Sequence, residues 1–238
     1  MKKTWILAAL ATFGATFSVA SACASAPQPA TSADSRSNDQ EKAPEKPEKK
    51  DTPPAPEEKK DAKAAPVEIG KPAPEFSLTD LDGKTVKLAD FKGKLVVLEW
   101  FSPKCPMCVW AYGEGGPLRE WPEKLKKDGI VWLAVNSEDP ANDAAKIEVN
   151  KKFLEANKAS VSVLLDPTGA TGKAYGAKTT PHMMVIDEKG VLRYRGALDN
   201  APAGKLKDGE TKVNYVQQAL DELKGGKAVS KPETKSYG

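Results

Sequence analysis

The stretch from Leu95 to Cys108 reads LVVLEWFSPKCPMC, an apolar run followed at once by two cysteines with two residues between them. A run that is apolar except for Glu99 is typical of a central β-strand that is covered on both faces. Pro106 is favoured in the first turn of a helix, because its missing N–H would have no intrahelical partner there. The stretch therefore predicts a buried strand, a short connection and a helix that begins at the cysteines.

The two cysteines of this junction predict reversible disulfide chemistry. Cys105 would lie at the start of the helix, where exposed N–H groups and the helix dipole stabilise a thiolate. Cys108 follows one helical turn later, within reach of a disulfide bond. We expect Cys105 and Cys108 to open and close such a bond, with no cofactor and no bound metal.

The first 22 residues have the pattern of a signal peptide. A basic start is followed over residues 5–17 by an apolar stretch that is too short for a stable membrane anchor. Two interpretations remain for the small residues that come next: ordinary cleavage just before Cys23, or lipidation of Cys23 as the first residue of a bacterial lipoprotein. The segment resembles a lipobox, although Ala20 replaces the more usual leucine. We expect the lipoprotein.

Residues 23–66 have the composition of a disordered tether. From Ala24 to Pro66 there is no aromatic residue, and Pro, Ala, Glu, Lys, Asp and Ser predominate. Such a segment buries too little apolar surface to offset the entropy of ordering it, and its prolines and charges keep it extended. A spacer between a lipid anchor and a folded domain fits this composition, as does a plain solubilising leader. We expect the domain at the periplasmic face of a bacterial membrane.

The charge balance argues against a nucleic-acid partner. The 36 Lys and Arg residues nearly match the 33 Asp and Glu residues, for a formal net charge of +3, and the lysines are scattered.

Residues 67–238 suffice for one domain with a real core, which we expect to be a monomer. An exported protein meets oxidising surroundings, so the C-x-x-C pattern favours redox activity over zinc binding.

The remaining elements are predicted from hydrophobic periodicity and turn residues. Alternation around Asp82 and Gly83 predicts a hairpin over 76–88. Further strands are expected at 130–135, 161–165, 183–187 and, as an edge strand, 191–195. Helices are expected over 106–125 with a break at the glycines, 140–157, 171–175 and 214–223. The pattern predicts an α/β fold, with a mixed central sheet covered by helices on both faces and an N-terminal β-hairpin extension.

Several motifs in this order resemble the redoxin branch of thioredoxin-fold proteins, the family named for alkyl hydroperoxide reductase and thiol-specific antioxidant. The resemblance covers roughly residues 67–223 and implies a thioredoxin-like fold. It is more specific for the fold than for the reaction. The motifs are APEFSL at 73–78, LDGK at 81–84, LADFKGK at 88–94, the C-x-x-C pattern and TTP at 179–181.

The resemblance implies roles for individual residues. Cys105 matches the nucleophile and Cys108 the resolving thiol. Thr180 and Pro181 match a loop whose proline is cis and faces the disulfide, where backbone groups can hold an extended peptide. Glu99 matches a buried acid that could carry the proton released by Cys108; the alternative is that it reaches solvent or pairs with a lysine.

Two departures from the family pattern bear on the reaction. Lys104 stands where thioredoxin has a tryptophan, and its ammonium would lower the pKa of Cys105. Ser102 can replace the threonine of true peroxiredoxins, but Leu98 occupies the position of their proline. Their peroxide-binding arginine is matched only by elimination, by Arg119, Arg193 or Arg195.

Other features leave alternatives open. His182 could tune Cys105 or bind a metal, although a packed loop histidine is the simpler interpretation. A Cu(I) site formed by Cys105, Cys108 and His182 would resemble the copper-delivery branch of the superfamily. That branch spaces its cysteines one residue further apart. Trp110 and Tyr112 could shape a substrate groove. Residues 229–238 are similar to relatives that often continue with one more cysteine.

The favoured function is an exported thiol–disulfide oxidoreductase that acts on protein or small-molecule disulfides and is recharged by a separate redox partner. A thiol peroxidase with Cys105 as the peroxidatic cysteine is the alternative. A Cu(I)-binding module is a third hypothesis. The direction of electron flow does not follow from the sequence.

Overall fold

The computed structural model describes residues 65–238. The expectations for the signal peptide, for Cys23 and for nearly all of the tether therefore lie outside the described residues. Within residues 65–238, no helix has the length and apolar character needed to cross a membrane.

A mixed sheet of seven strands forms the centre of the described part. The strands are β1 (Ser77–Asp80), β2 (Thr85–Lys87), β3 (Val96–Trp100), β4 (Val131–Asn136), β5 (Ser162–Leu165), β6 (His182–Ile186) and β7 (Leu192–Gly196). They lie in the order β2-β1-β5-β4-β3-β6-β7, with β3, β4 and β5 mutually parallel and the other pairs antiparallel. The β1–β2 hairpin extends the sheet beyond β5, as the sequence predicted.

Helices cover both faces of this sheet, which confirms the predicted α/β class. The helices of the described part are α1 (Pro106–Tyr112), α2 (Trp121–Lys127), α3 (Ile147–Asn157), α4 (Ala170–Tyr175) and α5 (Tyr215–Lys224). Side chains of α1, α2, α3 and α5 pack on one face, and α4 packs on the other with the segment that precedes β1. Because β3 lies between two strands and under both layers, all five of its residues are buried.

The helix predicted over 140–157 is shorter, and this part of the prediction was wrong. A 3₁₀ turn at Asp143–Ala145 comes first, and α3 starts only at Ile147, which is exposed rather than inward-facing. The Asn142 side chain caps the turn, and the amides of Asn136 and Asn150 both donate to the Ala144 carbonyl, at 2.8 and 2.9 Å. Asparagine side chains that bond to the backbone in this way compete with helical hydrogen bonding.

Both ends of the domain run beside β7, the edge strand that the sequence predicted. Before β1, the N–H of Gly70 donates to the Leu192 carbonyl at 2.8 Å, and the N–H of Leu192 donates to the Lys71 carbonyl at 3.0 Å. Further along β7, the last residues of the sequence, 232–238, begin with a parallel bridge between Glu233 and Arg195. We call residues 232–238 the tail.

Candidate active site

β3 and α1 place the two cysteines of the C-x-x-C motif at the end of the central strand. Cys105 is the N-cap residue of α1 and is half-buried, whereas Cys108 is completely buried within the helix. Both are free thiols, and the Cys108 thiol is hydrogen-bonded to the Cys105 sulfur. One sulfur is therefore accessible, and the second lies behind it.

The loop before β6 brings a backbone carbonyl to the accessible sulfur. The Thr180–Pro181 peptide is cis, as the resemblance implied. His182, the first residue of β6, pairs with Trp100 at the end of β3, so the loop lies beside the start of α1. The Cys105 sulfur lies 2.7 Å from the Thr180 carbonyl oxygen, to which the thiol donates in its protonated form. Whether this loop holds a substrate remains a prediction.

The surroundings of the two thiols push their pKa values apart. The hydrogen bond from the Cys108 thiol is the main cause that lowers the pKa of Cys105 to about 5, with help from the Thr180 hydroxyl and from the N–H groups of Cys108 and Met107. Partial burial opposes this shift. The same hydrogen bond, together with burial, raises the pKa of Cys108 well above its ordinary value. At neutral pH, Cys105 is the thiolate and Cys108 the proton donor.

The low pKa of Cys105 has a different origin from the one that the sequence predicted. The Lys104 ammonium is half-exposed and binds the Asp143 carboxylate at 3.1 Å. Asp143 lies in the 3₁₀ turn before α3 and also binds Lys146 at 2.6 Å, and these two partners lower its pKa to about 2. A carboxylate thus neutralises Lys104. The Cys108 thiol, rather than the Lys104 ammonium, stabilises the Cys105 thiolate.

Glu99 is a fully buried acid on β3, so the alternative of a solvent-exposed or lysine-paired Glu99 was wrong. Its Oε2 atom accepts hydrogen bonds from the Tyr112 hydroxyl at 2.6 Å and from the Trp132 indole at 3.0 Å. Its Oε1 atom is buried without a hydrogen-bond partner. Burial raises the pKa of Glu99 to about 7, against the two hydrogen bonds, and the charge of Cys105 adds to the increase.

The two residues that hold Glu99 were not recognised from the sequence. Tyr112, a candidate for shaping a substrate groove, is completely buried at the end of α1. The sequence pattern gives no functional indication for Trp132. In the parallel pairing of β3 with β4, Glu99 lies opposite Ala134, and Trp132 is two residues away and therefore on the same face. The strand register, had it been known, would have identified Trp132 as a neighbour.

The remaining candidate residues have other partners. The Ser102 carbonyl accepts the Cys105 N–H at 3.2 Å, so Ser102 belongs to the turn that leads into α1. Arg193 binds Asp187 at 2.6 Å and Arg195 binds Glu233 at 2.8 Å, and Arg119 lines a cleft beside Trp121. These pairs engage two of the three arginines that were considered for a peroxide site.

His182 does not form a metal site with the cysteines. It is buried at the start of β6, where its Nδ1 atom accepts the N–H of Lys178 at 3.2 Å. Burial is the main cause that lowers its pKa to about 4. Among residues 65–238 there is no group of three or more His, Cys, Asp and Glu side chains that could hold a metal ion.

Known proteins resemble this chain in sequence and in fold. The sequence profile of the AhpC/TSA family matches residues 69–195, which is more than half of the chain. The chain belongs to the AhpC/TSA family. Its sheet, with the two thiols after β3 and the cis-proline loop before β6, is the thioredoxin-like fold that the sequence motifs implied.

Relatives of this AhpC/TSA protein carry two kinds of name. The "Thiol-disulfide oxidoreductase ResA" of Bacillus thuringiensis is 35% identical over 124 residues, which are 52% of this chain and 66%, just under two thirds, of that protein. The "Peroxiredoxin-2" of Pongo abelii is 30% identical over 177 residues, which cover 69% of this chain and 96% of that one. Among solved structures, a hypothetical protein from Sinorhizobium meliloti 1021 superimposes with a TM-score of 0.63 at 26% identity, covering 72% of this chain and 92% of that chain.

The ionisation of Cys105 can be tested by alkylation of the reduced protein. Because the thiolate is the reacting form, the rate with iodoacetamide should follow an ionisation near pH 5. Cys108→Ala removes the main stabilising hydrogen bond and should raise this midpoint by at least about one pH unit. Lys104→Met should leave it in place. Mass spectrometry of the peptide that carries Cys105 gives the rates, and a midpoint near the ordinary thiol value of about 8.5 in the unaltered protein would contradict the assignment.

The burial of Glu99 predicts a pH dependence of stability. Its pKa is about 7 in the folded protein and about 4.5 in the unfolded chain, so the unfolded chain loses this proton first as the pH rises. The contribution of Glu99 to the free energy of unfolding should therefore fall between pH 4.5 and 7, by on the order of 3 kcal/mol, while the lowered pKa of Cys105 contributes with the opposite sign. Glu99→Gln should remove this decrease. Urea denaturation at pH 5 and pH 8 measures it, with Glu114→Gln at an exposed position as the matched control. If the free energy of unfolding changed equally between the two pH values in Glu99→Gln and in the unaltered protein, Glu99 would make no such contribution.

Proposed function

We propose that this protein is a thiol–disulfide oxidoreductase that exchanges disulfides through Cys105 and Cys108. The observation that carries the proposal is the pair of hydrogen-bonded thiols with opposite pKa shifts, of which only the low-pKa thiol is accessible. An accessible thiolate is the attacking species in thiol–disulfide exchange, and a neighbouring thiol can resolve the product. The 35% identity to a protein named as a thiol-disulfide oxidoreductase supports the proposal.

The reaction has two displacement steps. The Cys105 thiolate attacks one sulfur of the substrate disulfide, whose S–S bond breaks, so that a mixed disulfide forms and one substrate thiolate leaves. Cys108 then loses its proton and attacks the Cys105 sulfur, which releases the second substrate thiolate and leaves a Cys105–Cys108 disulfide. The substrate gains two electrons and the protein loses two. The same steps in reverse oxidise a substrate dithiol.

Glu99 is suited to accept the proton of Cys108 in the second step. With a pKa of about 7, its carboxyl group can both take up and release a proton near neutral pH. Oε2 is held by Tyr112 and Trp132, while Oε1 has no hydrogen-bond partner and is free to receive the proton. The charge of Glu99 also raises the pKa of Cys108, so the two groups are close enough to interact.

The stabilised thiolate bears on the direction of the reaction. A low pKa at Cys105 stabilises the reduced pair, and a stabilised reduced pair makes the disulfide the stronger oxidant.

Residues 1–66 support a location outside the cytoplasm, with Cys23 as the lipid attachment point and the charged, proline-rich segment as the spacer. We propose that the domain meets protein or small-molecule disulfides there, and that a separate redox partner restores it.

The mixed disulfide can be trapped with a defined protein disulfide such as insulin. The Cys108→Ser variant can form the mixed disulfide but cannot resolve it, so a covalent adduct with an insulin chain should accumulate. Cys105→Ser retains Cys108 but lacks the attacking thiolate, and it should give no adduct. Non-reducing electrophoresis with mass spectrometry detects the adduct. If neither variant yields one, the proposed exchange does not take place at this pair.

A second candidate is a thiol peroxidase, favoured by the 30% identity to Peroxiredoxin-2 over 96% of that protein. In that reaction the Cys105 thiolate attacks one peroxide oxygen, the O–O bond breaks, the other oxygen leaves as hydroxide or alkoxide and takes up a proton, and the Cys105 sulfur becomes a sulfenic acid. Cys108 would then displace water and close the same disulfide. The site offers weaker support for this step, since Arg193 and Arg195 already bind Asp187 and Glu233.

Stopped-flow kinetics separates the two candidates. Reduced protein mixed with hydrogen peroxide should form sulfenic acid no faster than an ordinary thiolate of similar pKa, because peroxide activation needs donors aimed at its oxygens. Trapping of the sulfenic acid with a dimedone reagent gives the rate, and Cys105→Ser gives the background. A rate several orders of magnitude higher would make the protein a peroxidase.

A further inference from the structure

The tail is bonded to the backbone of β7 and of the residues just after it. The N–H of Arg195 donates to the Pro232 carbonyl at 3.0 Å, and the N–H of Thr234 donates to the Arg195 carbonyl at 3.1 Å. The Thr234 hydroxyl accepts the N–H of Ala197 at 2.9 Å. A Cβ atom on Gly196 would overlap Thr234, so glycine is needed here for the close approach. The tail therefore pairs with an edge strand as an added peptide would.

Tyr237 anchors the next part of the tail near the thiols. Its ring packs against the same apolar cluster as Cys105 and Trp110. Its hydroxyl donates to Oδ1 of Asp199 at 2.7 Å. Asp199 is only 1% exposed, and its other oxygen has Lys212 at 3.6 Å as its charged neighbour. The Tyr237 hydroxyl thus satisfies a buried carboxylate, a hydrogen bond of the stronger kind.

Gly238 completes the path across the loop that carries the cis-proline. A Cβ atom on Gly238 would overlap the Thr180 carbonyl, so the two backbones are in direct contact. This carbonyl oxygen lies 2.7 Å from the Cys105 sulfur. The tail therefore extends from the edge strand to the backbone group nearest the reactive sulfur.

We propose that the tail occupies the position where an extended segment of a protein substrate would bind, and that it selects substrates by size. The proposal rests on the proposed oxidoreductase function. Cys105 remains partly exposed with the tail in place, so a small disulfide can reach it. A protein disulfide carries flanking chain on both sides of its sulfurs, and that chain needs the backbone at Thr180, which Gly238 covers. Protein substrates therefore react only after Tyr237 leaves Asp199.

Two variants should release the end of the tail without altering the thiols. Tyr237→Phe keeps the ring and removes the hydrogen bond to Asp199. Gly238→Ala places a Cβ atom against the Thr180 carbonyl and forces the last residue away. Tyr175→Phe is the matched control, since it also removes one hydroxyl hydrogen bond of 2.7 Å, to the Pro74 carbonyl, on the opposite face of the sheet from the tail.

The experiment compares the oxidation rates of the reduced protein by insulin and by glutathione disulfide. In Tyr237→Phe the ratio of the insulin rate to the glutathione rate should rise about tenfold, the equivalent of one hydrogen bond of about 1.4 kcal/mol. Gly238→Ala should raise the ratio in the same direction, and Tyr175→Phe should not change it. Circular dichroism checks that each variant is folded.

The other outcomes are distinct. An unchanged ratio in both tail variants would overturn the size selection, because the tail would then not compete with protein substrates. A lower ratio would overturn it as well and would make the tail part of the surface that binds proteins. If neither insulin nor glutathione disulfide oxidised the reduced, unaltered protein, the proposed oxidoreductase function would be wrong. The size selection, which rests on it, would be wrong as well.

Discussion

The hydrogen bond from the Cys108 thiol to the Cys105 sulfur is the interaction on which the chemistry of this domain depends. The sequence distinguishes the two cysteines only by their positions relative to the start of the helix, and this contact separates their ionisation. It stabilises one as a thiolate and holds the proton on the other. The difference in burial acts in the same sense, because the accessible sulfur carries the charge and the buried one does not.

The fold supplies this contact through three elements that meet at one end of the sheet. β3 delivers the chain to the start of α1, and β6 brings in Thr180 from the other side. Glu99 lies on β3, the strand that precedes the motif, where the helices that cover β3 shield it from water. Strand pairing thus sets both the position of the nucleophile and the depth of the acid.

The architecture could be predicted from the sequence because its signals are local. Apolar runs, a turn at Asp82 and Gly83, and the cysteine motif identify the central strands, the hairpin and the start of α1. The start of α3 was misplaced because Asn136 and Asn150 draw the backbone at Ala144 into a turn, an effect that hydrophobic periodicity does not record.

The parts of the site that the sequence missed depend on contacts between distant segments. Lys104 meets Asp143 39 residues later in the chain, and Glu99 meets Trp132 33 residues later. The tail was noticed only for its similarity to relatives, since a contact between two backbones, as at Gly238 and Thr180, leaves no pattern of side chains. Such contacts follow from register and path, which the sequence does not state directly.

The segments that cover the edge of β7 have a consequence for assembly. An unpaired edge strand offers a row of N–H and C=O groups to a second sheet, and this is a common route to aggregation. Here the segment before β1 bonds to one part of that row and the tail to another, and the guanidinium of Arg195 bonds both to the Val67 carbonyl and to Glu233. The opposite edge, β2, is only three residues long. Pairing of β7 with a strand of a second copy is therefore blocked, and β2 offers only three residues for such pairing.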